Sequence, residues 1–336
     1  MSFSIKIRKP DDFHIHLRDF PEAANYLSFS EDCFARGVVM PNTTLPIDNL
    51  DRFFSYREKI VNASKKGFVP LMSFKISSSL SEKDIKEFKK AGALIGKLYP
   101  QGVTTNSQDG ISSISQQYHI FEKLQEFGIG LSIHGEAINC SPIESERKFL
   151  KELEQIIKTF PKLKIIMEHV STKEAVCFIS NQPENVGATI TVHHLLFSIE
   201  DLLGKSFLPH LFCKPILQSV YDKRAIQQVV LEGNKKFFFG SDSAPHLKEK
   251  KECATVAAGI FSAPVALPLL AEFFDSQKSL HRLEDFVSRF GAEFYELPLN
   301  NEEIELVKEP WVVAQSYFGV VPLCAGKQIS WRVKCS

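Results

Sequence analysis

The strongest constraint on this chain is a rhythm. Eight short apolar runs, bounded by Gly, Pro or Asn, recur at residues 12–17, 37–41, 69–76, 93–98, 129–134, 164–170, 186–192 and 237–241. Longer stretches with apolar residues three and four apart lie between them, among them 49–63, 82–91, 118–127, 145–159, 172–179 and 222–232. Short apolar runs fit buried strands, and the three-and-four spacing fits amphipathic helices. Ser81 followed by Glu82, Lys83 and Asp84 reads as a helix start, with Ser81 as N-cap and an acid at the third helical position. Eight alternating units predict an α/β fold, a (β/α)8 TIM barrel, because each parallel strand pair needs a crossover helix. A doubly wound open sheet is the alternative. No Gly-x-Gly-x-x-Gly follows any strand, so a dinucleotide site has no support.

The 336 residues fit one large barrel domain, 1–336, with no internal repeat or low-complexity linker. The residues from 297 to 336 carry mixed short apolar runs and are expected as a C-terminal extension packed on the barrel. Forty basic and forty acidic residues give a formal net charge of zero, which argues against a nucleic-acid partner. No run of 18 or more apolar residues is present, so no membrane span is predicted. The start lacks the apolar core of a secretion signal. Seven cysteines are scattered without a Cys-x-x-Cys pair, which disfavours both a disulfide framework and a zinc knuckle. These features together predict a cytoplasmic location.

Barrel active sites lie at the C-terminal ends of the strands. The first strand ends in His14 and His16, two residues apart and therefore on one side, about 7 Å apart along the backbone. Neutral imidazole is a common metal ligand, but His-x-His alone is an ambiguous pair. Later strand ends add Lys97, His134, His169 and Asp242, so metal-competent side chains gather on one rim rather than scattering over helices. Lys97 is the odd member, since an ammonium cannot ligate a metal. Its plain role is pairing with an acid such as Asp242; a chemical role requires a Schiff base or an altered, anionic lysine. The polar segment 99–110 follows a strand and has the composition of either a plain connection or a lid.

In order along nearly the whole chain stand His14-x-His16-Leu-Arg18-Asp19, Met40-Pro41-Asn42, Lys97-Leu-Tyr99-Pro100, His134-Gly-Glu, Glu-His169 and Gly-x-Asp242-Ser-Ala-Pro-His246. This set resembles the amidohydrolase superfamily and, more closely, the dihydroorotases of the shorter bacterial, monofunctional type. The resemblance implies a barrel with two zinc ions per subunit, His14, His16 and Asp242 on one and His134 and His169 on the other. It implies that Lys97 is carboxylated on its side-chain nitrogen (N6-carboxylysine) and bridges the metals together with a hydroxide. Arg18, Asn42 and His246 match positions that bind a substrate carboxylate; Ala258 and the backbone of Lys214 match further contacts, with His16 and His134 also bordering the substrate. Thr104 and Thr105 match the family's mobile loop.

The implied reaction is the reversible conversion of (S)-dihydroorotate and water to N-carbamoyl-L-aspartate, in pyrimidine synthesis, by a homodimer. The chemistry is coherent. Zinc lowers the pKa of bound water from about 15.7 to about 7, a second metal polarises the carbonyl, and Asp242 is placed to carry a proton to the leaving nitrogen as general base and acid. Arg18 offers a planar fork for a carboxylate. The alternatives are another cyclic-amide hydrolase, such as a hydantoinase, dihydropyrimidinase or allantoinase, or a non-catalytic scaffold barrel. Arg18, Asn42 and His246 speak against the first, and the complete ligand set against the second. His193 and His194 are expected as rim or packing residues.

Overall fold

The computed structural model describes residues 3–102 and 110–334. Its centre is an eight-stranded sheet in which every neighbour pair is parallel and follows chain order. The strands are β1 (Asp11–Ile15), β2 (Arg36–Val39), β3 (Val69–Lys75), β4 (Ile95–Leu98), β5 (Gly130–Ile133), β6 (Ile165–Met167), β7 (Val186–Ile190) and β8 (Phe237–Phe239). The main helices are α1 (Ala23–Cys33), α2 (Leu50–Ala63), α3 (Glu82–Lys90), α4 (Tyr118–Phe127), α5 (Ser145–Thr159), α6 (Lys173–Ser180), α7 (Val220–Glu232) and α8 (Ala266–Ser276). This is the (β/α)8 barrel that the sequence predicts. The ring is nearly closed. Past the end of β8, Asp242 N–H donates to His14 O at 2.8 Å and His16 N–H donates to Ser243 O at 3.1 Å.

Local chemistry explains several boundaries. Ser81 caps α3, and Asp84 returns a hydrogen bond to the Ser81 N–H, a reciprocal capping box. Asn49 and Thr172 accept from backbone N–H groups at the starts of α2 and α6. The strands are shorter than their apolar runs because polar mouth residues follow them. The seventh run, 186–192, divides. β7 stops at Ile190, and Thr191 caps a short helix, Val192–Leu196, which carries His193 and His194. The two histidines are therefore on a helix rather than at a strand end, because Thr191 offers its hydroxyl to the His194 N–H at 3.0 Å.

The lower barrel is filled by Phe13, Val38, Ile95, Ile166 and Phe238, with Phe290 and Tyr295 closing it from below. Phe13 stacks on Tyr295 at 5.2 Å between ring centroids. Gly291 allows that approach: a Cβ there would stand 2.1 Å from the Phe13 ring. The N-terminal strand Ser4–Arg8 pairs antiparallel with Glu303–Val307, which also pairs with Arg332–Val333. Trp331 is fully buried, and its Nε1–H donates to Asp275 of α8 at 3.1 Å. With the barrel filled from below, side chains that can do chemistry are left to its upper mouth. Among the described residues, no helix is long and apolar enough to cross a membrane.

Candidate active site

At the mouth, three buried donors converge. His14 Nε2 and His16 Nε2 are 3.2 Å apart, and Asp242 Oδ1 lies 3.4 Å from the first and 3.0 Å from the second. The far side of each ring is anchored. His14 Nδ1 meets the Glu168 carboxylate at 2.7 Å, and His16 Nδ1 meets Asn42 Oδ1 at 2.7 Å. Both partners are acceptors, so each Nδ1 carries the proton and each Nε2 presents a lone pair. Burial pulls His16 down to about pH 4 despite the Asp242 carboxylate beside it. Two lone pairs and a carboxylate oxygen aimed at one point repel one another, and a cation removes that repulsion. The donor set fits a metal on this geometry.

Glu168 is the hub beneath this group. Besides His14 it accepts hydrogen bonds from Thr189 Oγ1 at 2.6 Å and from Ser132 Oγ. Burial would raise its pKa, but His14, Lys97 and these donors outweigh burial and hold it at about 2. Lys97 is fully buried; its Nζ has no hydrogen-bond partner among the described residues and lies 4.0 Å from Glu168 Oε1. The nearest acid is thus Glu168, where the sequence suggested Asp242. Burial lowers the Lys97 pKa to about 8. The His134 ring stands 4.8 Å from His169 between centroids, its Nε2 bonded to Glu136 at 2.6 Å. His169 Nδ1 is buried with no partner among the described residues. The second histidine pair and Lys97 therefore supply unspent donor atoms beside the first cluster.

The other end of the cavity is cationic. Arg18 Nε donates to Pro245 O at 3.0 Å, and its Nη2 stands 2.9 Å from His246 Nε2. That same nitrogen is 3.0 Å from Ala258 O. Arginine only donates, so the Arg18 contact puts the His246 proton on Nδ1, while the Ala258 contact needs the other tautomer. Burial, Arg18 and Lys251 push His246 to about pH 3, so the ring is neutral at pH 7. Asn42, Lys214, Ala258 and Tyr99 also line the cavity. Arg18, His169 and Asp242 all have positive φ, at 69°, 42° and 44°. Non-glycine residues are costly there, and such strain collects at functional sites.

Thr104 and Thr105 lie outside the described residues. The other residues singled out from sequence lie at or directly beside this mouth. Glu168, Glu136 and Asp12 carry structural weight there that sequence reasoning assigned to none of them. The available signal was their place within or beside strand-end motifs. Asp12 Oδ1 accepts from the His14 and Ser241 N–H groups at 3.1 and 2.8 Å, tying β1 to the end of β8. A second metal-capable group, His193, His194 and Cys213, has its donor atoms within 4.8 Å of one another. His194 spends both nitrogens, on Thr191 at 2.9 Å and Pro215 O at 3.1 Å, and burial pushes the Cys213 thiol up. Both His193 nitrogens are buried without a hydrogen-bond partner among the described residues.

Barrel and mouth together define an enzyme of the amidohydrolase fold. A Coxiella burnetii protein named dihydroorotase is 43% identical over 340 residues, covering 98% of each chain. The crystal structure of dihydroorotase from Campylobacter jejuni superposes with a TM-score of 0.93 and 37% identity, covering 100% of this chain and 98% of that one. That of Saccharomyces cerevisiae dihydroorotase in complex with 5-fluoroorotic acid gives 0.91 and 32%, covering 99% of each. The chain belongs to the dihydroorotase family and is a cyclic amidohydrolase. No family model matches it. An L-hydantoinase from Arthrobacter aurescens shares the fold, at TM-score 0.83 and 17% identity over 99% of this chain and 83% of that one.

Proposed function

We propose that the chain interconverts (S)-dihydroorotate plus water and N-carbamoyl-L-aspartate, in de novo pyrimidine synthesis, with two zinc ions. The observation that carries this reading is the two-ended cavity: buried lone-pair donors at His14, His16 and Asp242 face an end whose cation is Arg18, with the neutral His246 ring against it. A cyclic amide bearing a carboxylate matches both ends at once. The yeast relative is solved with 5-fluoroorotic acid, a carboxylated pyrimidine, which supports the same assignment here.

In this reading His14, His16 and Asp242 would hold one metal, and His134 and His169 the other. Lys97, carboxylated when its neutral amine adds to CO2 and releases a proton, would supply them with an anionic oxygen ligand. Its buried Nζ has no hydrogen-bond partner among the described residues, and burial lowers its pKa to about 8, which raises the share of neutral amine above that of an ordinary lysine. Zinc bound there supplies carbonyl polarisation and a water of lowered pKa. Asp242 accepts a proton from the attacking water and passes it to the ring nitrogen as the amide C–N bond breaks. Cyclisation runs the same transfers backwards. Arg18 fixes the substrate carboxylate through its guanidinium fork, with Asn42, His246 and the backbone at Lys214 and Ala258 completing the cradle. We extend the family reading to a cytoplasmic homodimer, each subunit one barrel domain with 297–336 packed on it.

The test is substrate preference in the zinc-loaded enzyme. Dihydroorotate is expected to be hydrolysed at least about 100-fold faster than dihydrouracil, since a site built for a polar group rejects the analogue lacking it. Equal rates would favour the hydantoinase-like reading.

A further inference from the structure

Lys251 is a buried cation that the reaction described above does not use. It ends the short helix Lys248–Lys251, is 3% exposed, and makes no ion pair among the described residues. Its ammonium has three donors, and three main-chain carbonyls take them: Phe212 O at 2.9 Å, Ala257 O at 2.9 Å and Gly259 O at 2.7 Å. A buried lysine satisfied wholly by carbonyls retains a net positive charge in a medium that screens it poorly. Burial lowers its pKa to about 8, which leaves it largely protonated at pH 7.

The three carbonyls belong to the two segments that border the cationic end of the cavity. Phe212 stands two residues before Lys214, and Ala257 and Gly259 flank Ala258. Gly259 N–H donates to Phe212 O at 2.9 Å, so one carbonyl is shared by the ammonium and the facing segment. The segment packs closely on Ala244, where a Cβ added at Gly259 would stand 2.7 Å from Ala244 O. The carbonyl of Ala257 and the N–H of Ala258 belong to one planar trans peptide and point in opposite directions. With the carbonyl held by Lys251, the N–H faces away from the ammonium, and it has no partner among the described residues. A cation on the carbonyl side polarises the peptide and strengthens the N–H as a donor.

We propose that Lys251 is a positioning residue that locks the 212–214 and 257–259 segments together and makes the Ala258 N–H a donor for the substrate carboxylate. The proposal rests on the carboxylated-substrate reading given above, and it concerns binding rather than the chemical step. Arg18 and His246 would then grip the anion through side chains, while Lys251 acts on it through a peptide.

The test compares zinc-loaded wild type with Lys251→Met, Lys251→Gln and Lys251→Arg, each checked for a folded circular dichroism spectrum. Orotate binding by calorimetry and steady-state kinetics on dihydroorotate are the readouts. Both neutral variants are expected to bind orotate about tenfold more weakly and to raise KM about tenfold, with kcat within threefold of wild type. Lys251→Arg is expected to stay within threefold throughout. Orotate affinity and KM unchanged in a folded Met or Gln variant would overturn the proposal, as would a fall in kcat at unchanged KM. An Arg variant as impaired as Met would equally overturn it. If Met does not fold, Gln carries the same comparison. Wild type itself inactive on dihydroorotate would instead overturn the substrate reading, a distinguishable result.

Discussion

Glu168 accepts a hydrogen bond from His14 Nδ1 at 2.7 Å, and that single contact decides which face of His14 can bind anything. With the proton fixed on Nδ1, Nε2 is left as a lone pair 3.2 Å from the Nε2 of His16. Outer partners of this kind set the tautomer and raise the basicity of a ligating imidazole. Glu168→Gln keeps the volume and removes the charge. Zinc affinity is expected to fall about 10- to 100-fold, the usual range for loss of an outer partner. Competition with a chromophoric chelator measures it; unchanged affinity would remove Glu168 from this role.

Lys97→Ala tests the bridging carbamate. The side chain is buried and its Nζ has no hydrogen-bond partner among the described residues, so truncation leaves a cavity and takes one cation from beside Glu168, which keeps His14, Ser132 and Thr189 as partners. Metal content is expected to drop below two per chain, and kcat/KM to fall on the order of a thousandfold, as when a group acting only through the assembled centre is lost. Mass spectrometry of the metals and a dihydroorotate assay are sufficient. Near-full metal content and activity would contradict the bridge.

Arg18→Lys keeps the charge and loses the fork. Pro245 O and His246 hold the guanidinium in place, and a lysine cannot span both contacts. A loss of about 2–3 kcal/mol in kcat/KM, roughly 30- to 150-fold, is expected for a charge-assisted bidentate contact. Most of it should appear in KM. Unchanged KM and kcat/KM would take Arg18 out of the site.

The barrel was legible because its rhythm survives at low resolution: eight apolar runs became eight parallel strands in chain order. The mouth was legible where chemistry is written in residue type, as at His14, His16 and Asp242, which meet within 3.4 Å. What escaped depends on three-dimensional contact. Glu168 is an ordinary acid in sequence and becomes a hub only when Ser132, Thr189 and His14 arrive from three other strands. The 186–192 run hid a strand-to-helix switch because Thr191 is as good a cap as it is a strand residue. Lys251 sits in a charged run, 248–252, that looks like solvated surface, and its three carbonyl partners come from distant or irregular backbone.

Acid stability is set by five histidines that burial pushes down (His16, His169, His193, His194 and His246) and by Glu168. Asp12 and Glu146 partly offset them, since burial raises these acids to about 6 and about 7 so that they take up protons favourably in the folded chain. His16 and His194 are both pulled down to about 4 by burial. Below the ordinary histidine pKa of about 6.5 the unfolded chain takes up protons that the folded chain refuses, so stability falls as pH drops from about 6.5 towards 4. Glu168, held at about 2, adds a second loss from about 4.5 downwards. The unfolding free energy of the chelated protein from urea titrations should therefore decline from pH 7 to 5 by a few kcal/mol in total and more steeply below about 4.5. A flat profile between pH 7 and 5 would show that these rings are not held neutral.

The most direct test of the central claim is cyclisation of N-carbamoyl-L-aspartate by protein stripped with chelator and then titrated with zinc, with metal counted per chain. Activity is expected to vanish on stripping and to return in full as bound zinc reaches about two per chain. Full activity in protein holding well under one metal per chain would contradict the account.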